Sequence, residues 1–164
     1  MQGTASASGT GAQACDVFTF YQAHAYGKPS YAARGPIVGK RNSSSHTSTL
    51  SFAVKTTKSR TTTWTGQAGG SIGWGIAKIE ASTSYSVSKK VSSGVTVTNK
   101  MSVDAKKRGF TQPTALYRKF AIEKWKQNGN CSTTKLKTYY MKAIVAPIYF
   151  TECQTKGSSC TPKP

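Results

Sequence analysis

The chain has 164 residues, 23 of them Lys or Arg against 5 Asp or Glu, which leaves a net charge of +18 and a pI near 10.0. Hydrophobic residues make up 37%, so a large core is excluded and one domain of thin β layers, with or without an extended arm, is the expectation. The charge steers the protein toward a polyanion, whether nucleic acid, an anionic cell envelope or an acidic protein, and no apolar run is long enough for a membrane-spanning helix.

Residues 1–14 are small and polar and read as a disordered N-terminus. Met1-Gln2-Gly3 followed by Thr4 to Gly9 reads as a start placed on a mature secreted N-terminus. Residues 15–45 read as an extended arm that opens on a short strand, Cys15 to Tyr21. From Gln22 to Ser45 the glycines and prolines Gly27, Pro29, Gly35, Pro36 and Gly39 interrupt every regular element. A β-domain follows over 46–164. Leu50, Phe52 and Val54 alternate with polar neighbours, and Gly66, Gly69 and Gly70 mark a turn.

The longest pattern runs from Ile79 to Val103, with Ile79, Tyr85, Val87, Val91, Val95, Val97, Met101 and Val103 at odd positions and Ser or Thr at most even ones. Side chains alternate across a strand, so this spacing predicts a two-faced β-ribbon. Ile72, Trp74 and Ile76 lie in the opposite phase, which predicts a bulge near Ala77-Lys78. Ser92-Ser93-Gly94 is a candidate hairpin turn within the ribbon, and Lys106-Lys107-Arg108-Gly109 ends it. Leu116 to Trp125 reads as a strand, Gln127 to Asn130 as a hairpin turn, and Leu136 to Phe150 as a returning strand that ends at a sheet edge or bend at Pro147. The predicted class is all-β: an elongated, twisted antiparallel sheet with long Ser/Thr-rich strands and an extended N-terminal arm.

Four cysteines without a CxxC or Cys/His cluster read as two disulfides, hence a secreted, extracellular protein. Three connectivities are possible. Cys153 and Cys160 flank a short loop that closes easily, whereas a straight strand would carry Cys131 out of reach of Cys153. The expected pairs are Cys15–Cys131 and Cys153–Cys160.

The search for chemistry finds little. Gly69-Gly70-Ser71-Ile72-Gly73 fits the form of a nucleophile elbow, but that motif needs a helix after the Ser and an acid and a His later in the chain. A β-ribbon is expected there, and His24 and His46 both precede Ser71. The carboxylates Asp16, Glu80, Asp104, Glu123 and Glu152 are scattered singly, which argues against paired acid/base work. No zinc spacing and no phosphate loop occur, so no catalytic residue, metal or cofactor is assigned. Lys106 to Arg108, Arg118-Lys119, Lys124, Lys126, Lys135, Lys137 and Lys142 alternate with Tyr117, Trp125, Tyr139 and Tyr140. Such interleaving serves single-stranded nucleic acid, but extracytoplasmic cysteines speak against that partner.

Leu50 to Lys55, Ile72 to Val103 and Arg118 to Cys131 together resemble small secreted cationic β-proteins akin to the insertion module of aerolysin-like pore-forming proteins. The Tyr/Gly/Pro segment ahead of a basic β-domain resembles the adaptor subunit of bacterial umbrella-like toxin particles, which links a toxin-bearing scaffold to lectin subunits. That resemblance implies a non-enzymatic adaptor in an interbacterial toxin complex. In this reading the arm lies in a groove of an acidic protein partner, with Phe18, Tyr21, Tyr26 and Tyr31 as aromatic contacts and Lys28, Arg34, Lys40 and Arg41 pairing with acids. Two alternatives stay open. Residues 79–103 are long enough to supply two membrane-spanning strands of about 9–11 residues each, as a β-pore former requires. Charge alone would also bind anionic envelope polymers.

Overall fold

A computed structural model describes residues 14–164. The stretch expected to be disordered, 1–14, falls outside the described residues except for Ala14. The described chain is all-β apart from one helix. Its strands are β1 Phe18–Ala33, β2 Val38–Arg41, β3 Ser48–Lys55, β4 Arg60–Thr61, β5 Thr63–Trp64, β6 Lys90–Val91, β7 Thr96–Val103, β8 Arg108–Gln127 and β9 Thr133–Thr155, and the helix α1 spans Ile72–Ser82 between β5 and β6.

One sheet has the order β1-β8-β9-β5, with β2 also paired to β8, and two-stranded ribbons are formed by β3 with β7 and β4 with β6. The β3–β7 register is antiparallel from Ser48↔Val103 to Lys55↔Thr96, and Val38 of β2 faces Thr111 of β8. The chain divides into two compact units, one built from 14–27, Thr63–Val87 and Lys119–Ala143, the other from Lys28–Thr62, Ser88–Arg118 and Ile144–Pro164.

In the first unit Ile79, Phe120, Ile122 and Met141 are completely buried, and Tyr85 meets Phe120 edge to face at 5.2 Å. Cys15–Cys131 closes this unit. In the second unit Phe52, Met101 and Val103 form a core that Val38 and Leu50 extend, and Val91, Ala115, Tyr117 and Ile144 form another with Ala32. Cys153–Cys160 closes its C-terminal loop. Both disulfides are the expected pairs.

The hairpin of β8 and β9 follows the sequence. Its turn is fixed by Asn128 N–H donating to the Ser132 carbonyl at 2.8 Å. The returning strand, however, runs through Pro147 to Thr155 instead of ending there.

Two readings are corrected. The segment from Gln22 expected to be a free arm is mostly strand, because β1 runs unbroken to Ala33 and β2 follows. β1 lies at the end of the sheet order, where the missing N–H of Pro29 breaks no second ladder and Gly27, at φ +67°, takes up a local irregularity.

The second correction concerns the ribbon expected over 79–103. Its first residues belong to α1, residues 83–89 lack regular structure apart from a single bridge at Ser88, and strand resumes for Lys90–Val91 and Thr96–Val103. Ile72, Ile76 and Ile79 recur at three- and four-residue steps, so the apparent phase change at Ala77-Lys78 is a helical period seen in a strand frame, and no bulge exists there. Ser92-Ser93-Gly94 is not a hairpin turn, since β6 pairs with β4 and β7 pairs with β3. The two-faced alternation survives in β7, where Met101 and Val103 are buried and Thr98 and Ser102 exposed.

Candidate functional site

The first unit gathers aromatic rings and lysines around α1. Ser71 caps the helix, its side-chain oxygen accepting the Trp74 N–H at 3.0 Å. Trp74 and Lys78 are four residues apart in the helix and therefore share a face. Tyr21 of β1 meets the Trp74 ring edge to face at 5.0 Å. Trp64 of β5 and Tyr139 of β9 complete the cluster, each within 6.4 Å of Trp74. The helix can sit this low because Gly75 has no side chain: a Cβ there would collide with Met141 and with the Trp64 ring at 2.8 Å.

Two ammonium groups lie on these rings. Lys78 Nζ is 4.9 Å from the centre of Tyr21 and 5.6 Å from that of Trp74, and Lys137 Nζ is 5.3 Å from Tyr139. Each such contact contributes about 0.5–1 kcal/mol at an exposed site. It holds the cation in place without neutralising it, so both charges remain available to an anion. A second group in this unit is neutralised. Lys135 pairs with Glu123 at 3.1 Å and lies 5.5 Å from the Trp125 ring, and Trp125 Nε1 donates to Glu123 at 3.2 Å. Burial opposes ionisation of Glu123, but the hydrogen bonds from Lys135 and Trp125 and the charges of Lys135 and His24 hold its carboxyl below the usual carboxylate range.

Three of the other four carboxylates also serve locally. Glu80 accepts the Val87 N–H, Asp104 pairs with Lys107, and Glu152 accepts from Asn99. With 23 cations to 5 acids, most of the positive charge has no internal counterpart.

The eight residues expected to contact a partner are divided between the two units. Phe18, Tyr21 and Tyr26 fall in the first unit, and Lys28, Tyr31, Arg34, Lys40 and Arg41 in the second. Phe18 packs on Phe20, Tyr26 on Tyr140 and Tyr31 on Tyr149. Arg34 is only 4% exposed, and its guanidinium donates to the carbonyls of Pro147 and Ser92. It is a structural brace, with its pKa drawn down by burial, and cannot pair with a partner's acid as expected. Lys40 donates to the Ser51 carbonyl and lies over Phe52, while Lys28 and Arg41 are exposed.

A helix does follow Ser71, contrary to the sequence reading, but the serine oxygen is taken up by its capping bond. Sequence reasoning missed Trp74 and Lys78, whose four-residue spacing was the available signal. Among the described residues no group of three or more His, Cys, Asp or Glu could hold a metal ion, and no helix is long and apolar enough to cross a membrane. The two disulfides point to an oxidising, extracellular-type environment. No family model matches the chain, and neither a curated protein nor a solved structure was found to be similar to it.

Proposed function

We propose that this is a secreted, non-enzymatic docking protein that engages an acidic protein partner, in the adaptor role within an interbacterial toxin complex that its sequence resemblance implies. The observation supporting this reading is the pair Lys78 and Lys137, ordered by aromatic rings in a chain with few acids. A cation already fixed in place loses little conformational freedom on meeting a carboxylate, and neighbouring rings supply contact area. Docking shifts accordingly from a free arm to the folded surface around α1, to which β1 contributes Tyr21.

The test uses the full chain as bait in the secretome of its own organism, beside a Lys78→Gln/Lys137→Gln variant, at rising ionic strength. The expected result is retention of one acidic protein at salt concentrations where long-range attraction is screened, and its loss from the double variant. Capture of anionic polymers that vanishes with salt, equally for both baits, would replace docking by charge-only binding. Release of dye from anionic vesicles by the isolated protein would instead favour pore formation.

A further inference from the structure

In the second unit the segment Cys153-Gln154-Thr155-Lys156-Gly157-Ser158-Ser159-Cys160 leaves the end of β9, bends over Lys156–Ser158 and returns. Three devices fix this loop. The Cys153–Cys160 disulfide joins its two limbs, with the Cα atoms 6.3 Å apart. Below the disulfide, Glu152 and Lys163 exchange both backbone hydrogen bonds, at 3.0 and 3.1 Å, and the return limb is stiffened by the buried Pro162. At the bend, Thr155 Oγ1 accepts the Gly157 N–H at 3.0 Å. Lys156 stands between these two residues. It is exposed, lies outside the left-handed backbone region and takes part in no ion pair among the described residues.

We infer that this loop is a substrate-like inhibitory site for a serine protease of trypsin-type specificity. Lys156 is the side chain that enters the acidic specificity pocket of the protease, and Lys156–Gly157 is the peptide bond held in its cleft. A lysine in an unconstrained loop would be an ordinary substrate. Here the cross-links fix the loop before it binds, so little conformational freedom is lost on docking, which is how a short segment binds tightly. The Thr155 bond separates inhibitor from substrate. In the acyl step the protease serine oxygen bonds to the Lys156 carbonyl carbon as the C–N bond breaks, and the serine proton passes through the protease histidine to the Gly157 nitrogen. That departing nitrogen is the one Thr155 holds, and the disulfide still joins the two halves of the loop. The tethered amine stands beside the ester at high effective concentration. It re-attacks and restores the peptide faster than water hydrolyses the ester, so the protease stays occupied. This site uses no residue of the surface around α1 and is independent of the docking reading.

The experiment follows trypsin turnover of a small chromogenic arginine amide in the presence of the full, disulfide-intact chain at up to micromolar concentration. Competitive inhibition is expected. Cleavage at Lys156–Gly157, read by mass spectrometry after reduction, should be far slower than in a linear peptide of the same loop sequence. Lys156→Ala should weaken inhibition about 100-fold, the loss of a central anchoring contact. Lys156→Phe should transfer inhibition to chymotrypsin, whose pocket is hydrophobic. Thr155→Val should speed cleavage about fivefold, the loss of one ordinary hydrogen bond. Because Lys156 is exposed, its variants should melt like the parent. The inference is overturned if trypsin is not inhibited, if Lys156→Ala inhibits as well as the parent, or if the intact loop is cut as fast as the linear peptide.

Discussion

Gly73 and Gly75 lie two residues apart in α1, and an alanine at each should change stability in opposite directions. In a helix, Gly→Ala gains up to about 1 kcal/mol from restricted unfolded-state freedom and better propensity. At Gly73 nothing opposes this gain, because the nearest atom to a new Cβ is Ser71 Oγ at 4.0 Å. At Gly75 the methyl must displace the completely buried Met141 and the Trp64 ring, which would lie 2.8 Å away. Overpacking of this kind costs about 1–3 kcal/mol, which outweighs the gain and leaves a net loss of up to about 2 kcal/mol. For a chain of this length each kcal/mol moves the midpoint by about 2–4 °C, so thermal melts of the two variants should fall on either side of the parent. If Gly75→Ala stabilises as Gly73→Ala does, the helix does not seat on Met141 and Trp64, and the aromatic cluster built on it is wrong. A ribbon through this segment would give neither the gain nor the asymmetry.

In β7, Val103→Asp buries a charge at a position with no exposure and should cost several kcal/mol in urea unfolding, whereas Thr98→Asp, on the exposed face, should be nearly silent; equal effects would contradict the two-faced strand. The folded-state pKa of Glu123 is depressed, so its stabilisation is fully present above its unfolded value of roughly 4 and is lost as pH falls through the lower folded value. Glu123→Gln should therefore flatten the acid limb of the melting temperature against pH, and parallel curves would refute this. Thiol titration of the folded protein should find no reactive group at Cys15, Cys131, Cys153 or Cys160. Opening Cys15–Cys131, which spans 116 residues, should cost about 5 kcal/mol, against about 2 for the 7-residue Cys153–Cys160 loop, on chain-entropy grounds; the reverse order in single-disulfide variants would overturn that account.

What the sequence made legible is what local pattern controls. Asn128-Gly129 between two long apolar and β-branched runs could only be the turn joining β8 and β9, and alternation through Leu50, Phe52 and Val54 marked β3. Helix α1 was hidden because Gly73 and Gly75 lower its propensity, and the packing that compensates comes from Met141 and Trp64, distant in sequence. β1 was hidden because Gly27 and Pro29 read as breakers, and only its place at the sheet edge makes them tolerable. The same logic governs the site. Tyr21 could be singled out as a large aromatic in a basic segment, but its meeting with Trp74 and Lys78 depends on the helix, so the constellation stayed out of reach once that segment was read as ribbon.

The placement of β1 also decides how docking can be tested. A free arm could be deleted to separate binding from folding. Here a deletion of 16–40 would remove β1 and most of β2, both neighbours of β8 in the sheet, and strip that strand of a hydrogen-bonding partner along much of its length. Exposed strand edges aggregate, and the residues removed would include Ala23, Arg34 and Gly35, all buried. Loss of partner capture after such a cut would report damage to the sheet as readily as loss of a contact. Substituting Lys78 and Lys137 removes two charges from the rings that hold them, a loss of about 0.5–1 kcal/mol each, and leaves every strand pairing in place. A change in binding larger than that change in stability can then be assigned to the missing charges.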